Sequence, residues 1–381
     1  MKKVGIITIH KSPNYGACLQ AYALYTYIRQ QGADCEIMDV HRPVHKDYIY
    51  ERNYSFFRNN PFSLDKKIKK IVNRLLGRKV TSNPYLSQTA EQRFEEFNTD
   101  IRYSRIYNRL SDLYKNPPIY DVYISGSDQL WNPVQPYCLE PYFLTFAPEG
   151  KIKISYATSI GITELTEIEK KCFKKWLDSY HAVSVREKQG KKLLDSFLEN
   201  KKVVMVADPT FLLDMKQWKA LANYPAFEVH SIVVFLLSYN QQLIDYAIRL
   251  GKESGRKVVF LKTKALITER NCQIDNEIGP KEFLGYLGRA GLVITDSFHC
   301  TVFSLLMGAE NFYTYISPTS KRGSRITDLL ETFGLENHLI PTDFSLTFEQ
   351  LQQNKINHER VNALIVKEQN KARYFLDKWI K

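Results

Sequence analysis

Cysteine is scarce in this sequence and no long apolar run occurs, so disulfide-rich and membrane-spanning proteins are both disfavoured. The six cysteines are scattered, without a CxxC pair or the histidine spacing of a zinc site. That usage is typical of a reducing cytoplasm, and we expect no metal centre. No stretch approaches the roughly 20 apolar residues of a membrane helix. The start, MKKVGIITIHKSPN, lacks a small-residue cleavage site and reads as the first strand of a soluble cytoplasmic protein.

Negative charge is also in short supply. Lys and Arg number 53 against 41 Asp and Glu, which leaves a net charge of +12. Such a surface attracts phosphorylated substrates, nucleic acid or acidic lipid head groups, and charge alone does not choose among them. Residues 65–79, DKKIKKIVNRLLGRK, place apolar residues at helical spacing among basic ones. One interpretation is a solvated helix face, and the alternative is a basic amphipathic helix that touches an anionic membrane.

The chain has neither an internal repeat nor a low-complexity linker, and short β-branched runs alternate with helical segments. Residues 4–9 and 34–40 read as strands on either side of the helical NYGACLQAYALYTYIRQQG, and a second series of such units begins at residue 231. This alternation predicts an α/β fold with two doubly wound, largely parallel sheets. The predicted divisions are a first domain at 1–215 with an insertion at about 41–120, a second domain at 216–346 and a helical segment at 347–381.

Ligands of open α/β sheets collect beyond the carboxyl ends of the strands, where loops and helix N-termini meet. Almost every predicted strand here ends in polar residues. The loop after the first strand contains Asn14, Tyr15 and Gly16, and SGSDQLW supplies Ser127 and Asp128. A carboxylate at such an exit can accept a hydroxyl proton, but a serine and an aspartate can equally cap the next turn. Further polar exits follow at 159–161, 186–190 and 208–210, the last being the turn-like DPT.

Cationic residues follow other predicted strands. Arg186 comes directly after AVSV, where a guanidinium can hold a carboxylate or phosphate with two hydrogen bonds or form an ordinary salt bridge. Lys321 and Arg325 flank Ser324 just before the helical ITDLLETFG. A helix N-terminus with basic side chains is a candidate phosphate site, although a basic loop on a basic protein has the same appearance.

The segment TDSFHCTVFS carries more polar groups than a strand-to-helix turn requires. One capping residue would suffice, yet Asp296, Ser297 and His299 occur together. We interpret Ser297 or Asp296 as the cap, and His299 as a residue that exchanges protons beside a bound anion. The alternative is a buried histidine that bonds to a carbonyl group.

Six motifs in this order resemble those of the polysaccharide pyruvyl transferase family: NYGACLQAYAL, SGSDQLWNP, SYATSIG, SVREKQG, DPTFLL and TDSFHCTVFS. The resemblance extends to about residue 330 and implies a GT-B-like pair of Rossmann-type domains whose parallel sheets face a central cleft. It implies transfer of a pyruvyl group from phosphoenolpyruvate onto two hydroxyls of a sugar, with a cyclic ketal and phosphate as products. His299 matches the family's catalytic histidine and Arg186 its phosphoenolpyruvate arginine. Cys300 stands where the family usually has glycine.

The remaining site residues are inferred from position. Asp128 is the predicted hydroxyl base, and Ser324 with Arg325 the predicted phosphate cradle. The full set of predicted substrate contacts is Asn14, Tyr15, Gly16, Ser127, Ser297, Lys321, Ser324 and Arg325. We expect the first domain to bind the saccharide acceptor, soluble or lipid-linked, and the second to bind phosphoenolpyruvate, with no cofactor and no nucleic acid.

Two other functions remain open at this stage. A glycosyltransferase that uses a nucleotide sugar would employ the same cleft and the same basic helix start, because a fold does not decide a function. A non-catalytic glycan-binding protein would retain its function after loss of His299 and Arg186. The polar strand exits favour an enzyme over a scaffold.

Overall fold

The computed structural model of the chain describes residues 1–42, 45, 47–49, 51, 87–135, 140–319 and 323–381. The predicted basic helix at 65–79 and the predicted contact residue Lys321 lie outside the described residues. Among the helices that are described, none is both long and apolar enough to cross a membrane.

The first half of the chain is built on a parallel sheet with β1 at its centre. Its strand order is β3-β2-β1-β4-β5. The strands are β1 (Lys3–Ile7), β2 (Asp34–Val40), β3 (Tyr103–Tyr107), β4 (Val122–Ser125) and β5 (Ile152–Ser155). A two-stranded parallel sheet of β6 (Val183–Val185) and β7 (Val203–Met205) continues it, joined to β5 by a bridge between Ile154 and Ala182. The inner strands are buried almost throughout, as parallel sheets covered on both faces require.

The second half repeats this order in another parallel sheet, β10-β9-β8-β11-β12. Its strands are β8 (Ile232–Phe235), β9 (Val258–Leu261), β10 (Cys272–Asp275), β11 (Leu292–Thr295) and β12 (Phe312–Thr314). In each sheet the chain moves outward from the first strand and then returns to its other side, so a switch point lies between β1 and β4 and another between β8 and β11. The two sheets confirm the predicted α/β, GT-B-like fold.

Helices connect and cover the strands. In the described residues they are α1 (Tyr15–Gln30), α2 (Gln88–Thr99), α3 (Leu110–Lys115), α4 (Glu167–Leu177), α5 (Lys188–Asp195), α6 (Met215–Leu221), α7 (Gln241–Ser254), α8 (Pro280–Leu287), α9 (Phe298–Met307), α10 (Ser324–Phe333), α11 (Phe348–Gln353) and α12 (His358–Ile380). Polar side chains fix the starts of several of them. Asn14 begins α1 by accepting a hydrogen bond from the Ala17 amide at 3.1 Å. Part of the segment predicted as an insertion, β3, is the edge strand of the first sheet.

The last helix, α12, runs back from the second half onto the first. Gln369 donates to the Leu213 carbonyl at 3.2 Å, and Arg373 donates to the Leu212 carbonyl at 2.7 Å. Nearer its end, Asp377 accepts a hydrogen bond from the Tyr27 hydroxyl of α1 at 2.8 Å. A single cluster of buried apolar residues extends through both halves. The halves are therefore joined by packing as well as by the chain.

Candidate active site

The helices that follow β1 and β11 begin where the two halves touch. His299, in the first turn of α9, lies directly on Gly16 in the first turn of α1. A Cβ atom at Gly16 would be 2.2 Å from the Nδ1 atom of His299, so only glycine fits here. The histidine of the second half thus reaches the strand exits of the first half, as a site in the cleft requires.

Asp208, after β7, is the centre of the side-chain cluster. It is buried, and its carboxylate accepts hydrogen bonds from Arg186 Nη1 at 2.5 Å and from the amide and hydroxyl of Thr210 at 3.1 and 2.9 Å. The Nε2 atom of His299 lies 3.5 Å from the same carboxylate. Burial alone would raise the pKa of Asp208, but His299 and Arg186 together hold it well below its usual range. Asp208 is therefore a fixed negative charge.

Asp208 is not among the site residues predicted from the sequence. The DPT segment is typical of a polar turn, because an aspartate before proline is common in turns. Its position at a strand exit and its place in the family-like DPTFLL were the available signals, and neither assigned a role to this aspartate. Asp208 also stabilises the turn, because it accepts a hydrogen bond from the Thr210 amide. The same residue therefore holds the turn and pairs with Arg186.

Arg186 is held between carboxylates. Besides Asp208, it has Asp128 Oδ1 at 3.4 Å from its Nη2 and Glu187 Oε2 at 3.9 Å from its Nε. Burial would lower the pKa of Arg186, but these three acids raise it. The guanidinium also lies over the ring of Phe298, 4.6 Å from its centroid. The salt bridge that the sequence left as an alternative is thus present, and it is buried rather than exposed.

Asp128 lies at the exit of β4 in a left-handed backbone conformation, with φ of +70°. Its side chain is 16% exposed. Burial would raise the pKa of Asp128, but Arg186, His299 and Arg325 reverse the effect and lower it. The carboxylate is therefore ionised at neutral pH, with a small part of its side chain exposed.

A buried glutamate supports this loop. Glu187 Oε1 accepts hydrogen bonds from the Ser159 hydroxyl at 2.9 Å, the Ile160 amide at 2.9 Å and the Gly161 amide at 3.2 Å. The Ser159 amide in turn donates to the Asp128 carbonyl at 2.8 Å. Glu187 is a positioning residue that the sequence did not single out.

Arg325 brings a second guanidinium to the cluster from the second half. It lies 5.6 Å from the Phe298 ring centroid, and its terminal nitrogens are 2.9 and 3.1 Å from the side-chain amide of Gln129. Ser324 is the first residue of α10, and Gly323 at the N-cap supplies no side-chain bond. The structure therefore brings Arg325 together with Arg186, His299 and Asp128, and in the described part of the chain the N-cap of α10 makes no side-chain bond to the helix.

Other predicted contact residues have structural bonds. Asn14 caps α1, and Ser297 caps α9 by accepting from the Cys300 amide at 3.3 Å. Tyr15 is buried between the halves, stacked on Phe283 at 4.6 Å, and its hydroxyl donates to the Ile278 carbonyl. Ser127 is fully buried, and its hydroxyl donates to the Ala157 carbonyl at 2.8 Å. Their proposed contacts with substrate remain predictions.

The polar surplus of TDSFH now divides into separate tasks. Asp296 accepts hydrogen bonds from the Leu237 and Ser238 amides at 2.6 and 3.2 Å and so holds the loop after β8. Ser297 caps the helix. His299 Nε2 has no hydrogen-bond partner among the described residues. Of these three residues, only His299 has a side-chain atom without a structural hydrogen bond to the described residues.

No group of three or more His, Cys, Asp or Glu side chains in the described part of the chain is arranged to hold a metal ion. The five cysteines described there, Cys18, Cys35, Cys172, Cys272 and Cys300, are all free thiols.

Comparison with known proteins gives one match in sequence and several in shape. The model of the polysaccharide pyruvyl transferase family matches residues 14–317. No curated protein matches in sequence. Among solved structures, the glycotransferase of kitacinnamycin and the spinosyn forosaminyltransferase SpnP each have a TM-score of 0.49 and 11% identity over 100% of this chain and 99% of theirs. MnaA from S. aureus has a TM-score of 0.49 and 9% identity over 97% of this chain and 91% of its own. Likeness this distant carries no argument about function.

Proposed function

The chain belongs to the polysaccharide pyruvyl transferase family, and from this we propose that it moves the pyruvyl group of phosphoenolpyruvate onto two hydroxyls of a sugar. The products are a cyclic ketal and inorganic phosphate. The supporting observation is the cluster in which Asp208 lies within 3.5 Å of both Arg186 and His299, with Asp128 beside them. It combines a proton donor, a base and cationic groups at the junction of the two halves.

The first step needs a proton on the methylene carbon of the enol. His299 is the proposed donor, and the Asp208 carboxylate 3.5 Å from its Nε2 would stabilise the imidazolium before transfer. Protonation leaves an oxocarbenium-like carbon that carries the phosphate. The two fixed negative charges, Asp208 and Asp128, would stabilise this cation electrostatically.

The second step forms the first carbon–oxygen bond of the ketal. A sugar hydroxyl attacks the cationic carbon, and Asp128 accepts its proton because its lowered pKa keeps it ionised. Asp128 returns this proton to the phosphate oxygen as the bond between that oxygen and the carbon breaks, which releases phosphate and regenerates a cation. The second hydroxyl attacks this cation, gives its proton to the neutral His299 and closes the ring. Arg325 and the uncapped start of α10 are the proposed contacts of the departing phosphate.

Donor binding is the first test. In calorimetry on the whole protein, phosphoenolpyruvate should give a saturable binding signal, whereas a UDP-sugar should give none. Incubation with phosphoenolpyruvate and a panel of glycosides should release inorganic phosphate and yield a glycoside with the mass of a pyruvate ketal. Binding of the UDP-sugar without binding of phosphoenolpyruvate would favour the glycosyltransferase alternative and overturn the proposal.

The acceptor and its location are finer parts of the same proposal. We propose a saccharide of a polysaccharide, such as a capsule or exopolysaccharide, or of its lipid-linked precursor, handled in the cytoplasm without a further cofactor. The basic segment 65–79 would contact the anionic membrane that carries a lipid-linked acceptor. Sedimentation with vesicles should then show more binding to acidic than to neutral lipid. Equal binding to both would contradict the membrane contact and leave the pyruvyl transfer intact.

A further inference from the structure

Lys262 is a cation in the cleft that the proposed mechanism does not use. It follows β9 directly, and its Nζ crosses to the first half, where it donates to the Pro13 carbonyl at 2.8 Å. The same Nζ lies 5.3 Å from the ring centroid of Tyr15. Pro13 and Tyr15 lie on either side of Asn14, the N-cap of α1. Gly16 of the same helix contacts His299. The lysine thus lies at the same helix start as the catalytic cluster.

Nothing described around this ammonium balances its charge. No carboxylate of the described residues lies within ion-pair distance of Lys262. The ionisable side chain that affects its pKa is the thiol of Cys18. Burial raises the pKa of Cys18 to about 12, so its thiol is neutral at physiological pH, and Arg42 adds a further positive charge near it. Asp275, on the adjacent strand, is engaged by the Tyr286 hydroxyl and the Glu277 amide. A half-buried ammonium with only neutral oxygen for a partner is a costly arrangement.

The backbone at Lys262 adds a second cost. Its φ is +52°, in the left-handed region that side chains with a Cβ rarely adopt. Such conformations persist where the surrounding structure holds them, and they concentrate at ligand sites. Lys11 and Asp128, at other strand exits of the cleft, share this feature with φ of +45° and +70°.

The donor also needs a cation that is not already paired. Arg186 is balanced by Asp208 and Asp128, whereas phosphoenolpyruvate carries both a phosphate and a carboxylate. Lys262 and His299 follow strands β9 and β11, which flank β8, so their backbones emerge roughly 10 Å apart, two strand spacings. A lysine side chain can cover much of that distance towards a ligand between them.

We propose that Lys262 is an anion-binding residue of the cleft, whose ammonium leaves the Pro13 carbonyl to hold a carboxylate or phosphate oxygen of a substrate. The bond to an oxyanion is charge-assisted and therefore stronger than the bond to a neutral carbonyl. This inference rests on the proposed function for the identity of one ligand, phosphoenolpyruvate. The other source of the same chemistry is the phosphate of a diphosphate-linked acceptor.

Calorimetry with two probes, phosphoenolpyruvate and inorganic pyrophosphate, separates these sources. The variants are Lys262→Met, which keeps an unbranched stem over Tyr15, Lys262→Arg, which keeps the charge, and Lys252→Met, a matched loss of one exposed charge on α7. Lys262→Met should weaken the binding of at least one probe tenfold or more, whereas Lys262→Arg and Lys252→Met should stay within about threefold of wild type. The weakened probe identifies the source of the anion.

The affinity measured across a pH series distinguishes a binding role of Lys262 from a structural one. Burial lowers the pKa of Lys262 to about 8, so the group is charged below that pH and neutral above it. Wild-type affinity should fall between pH 7 and pH 9, and Lys262→Arg should remove this fall. Unchanged affinity of Lys262→Met for both probes, or an identical pH series in Lys262→Arg and wild type, would overturn the inference. If wild-type protein binds pyrophosphate but not phosphoenolpyruvate, the proposed function is refuted. The pyrophosphate affinities of the variants then show whether Lys262 binds an anion.

Discussion

The two halves of the molecule share one strand order but bring different chemistry to the cleft. Around Arg186, the carboxylates Asp128, Glu187 and Asp208 all come from the first half, whereas the second half supplies His299 and Arg325. Neither half alone carries all the groups that the proposed reaction uses. The two halves share a fold but contribute different side chains to the candidate site. The cluster is complete only where the halves are in contact.

The largest effect should come from removing the histidine of the second half. His299→Gln keeps a polar side chain of similar length, so it should melt within a few degrees of wild type. Turnover should fall on the order of 100-fold, about 2.7 kcal/mol, the usual contribution of a positioned acid or base. Thermal melts and turnover on the same preparation check this. A destabilised variant with near-normal specific activity would instead make His299 a packing residue.

A buried acid of the first half should affect folding more than catalysis. Asp39 accepts from His10 at 2.9 Å and from Lys11. Burial would raise its pKa, but these partners lower it from 3.8 to about 2. The resulting stabilisation, about 2 kcal/mol, is present above pH 4 and is lost as the pH falls from 4 to 2. Asp39→Asn should lower the free energy of unfolding by that amount at pH 7 and flatten its change below pH 4. The same acid-induced loss in the variant would show that another group is responsible.

Arg186→Ala should have a smaller effect, and we expect it in the free energy of phosphoenolpyruvate binding. Phosphoenolpyruvate affinity should fall at least tenfold, about 1.4 kcal/mol, because the variant loses a guanidinium and leaves Asp208 and Asp128 unbalanced. Arg105→Ala, on the exposed edge strand β3, is the matched loss of one arginine. Calorimetry on both variants is the check, and equal affinities would remove Arg186 from the donor site.

The smallest change should come from Glu187→Gln. The amide oxygen can still accept from Ser159, Ile160 and Gly161, but the new amide group faces the Arg186 guanidinium where a carboxylate oxygen was. We expect turnover to fall a few-fold with phosphoenolpyruvate affinity near that of wild type, as measured by steady-state kinetics. A loss as large as that of His299→Gln would place Glu187 in contact with the reacting groups.

The sequence predicted the central strands well and missed two at the edges. The run at 4–9 corresponds to β1, because a strand covered on both faces is apolar along most of its length. No prediction was made for β3 or β10, which are the outermost strands of their sheets. Their partly exposed residues have no continuous apolar run, so composition does not distinguish them from loops.

Prediction of the site divides in the same way. Arg186, His299 and Asp128 could be predicted as candidates because they follow recognisable strands, and the structure places them close together. Asp208 and Lys262 could not, since an aspartate in a turn and a lysine in a basic chain are both ordinary. Their distinction lies in burial and in which groups surround them, and these depend on how the two halves meet.

The return of α12 onto the first half also bears on the order in which the protein is made. The carbonyls of Leu212 and Leu213 and the hydroxyl of Tyr27 bond to a helix that leaves the ribosome after every described strand. Domains generally fold from the N-terminal side during synthesis. The first half must therefore wait, with part of its surface uncovered, until residues 358–380 arrive. The first half is therefore covered on this side only once α12 has been made.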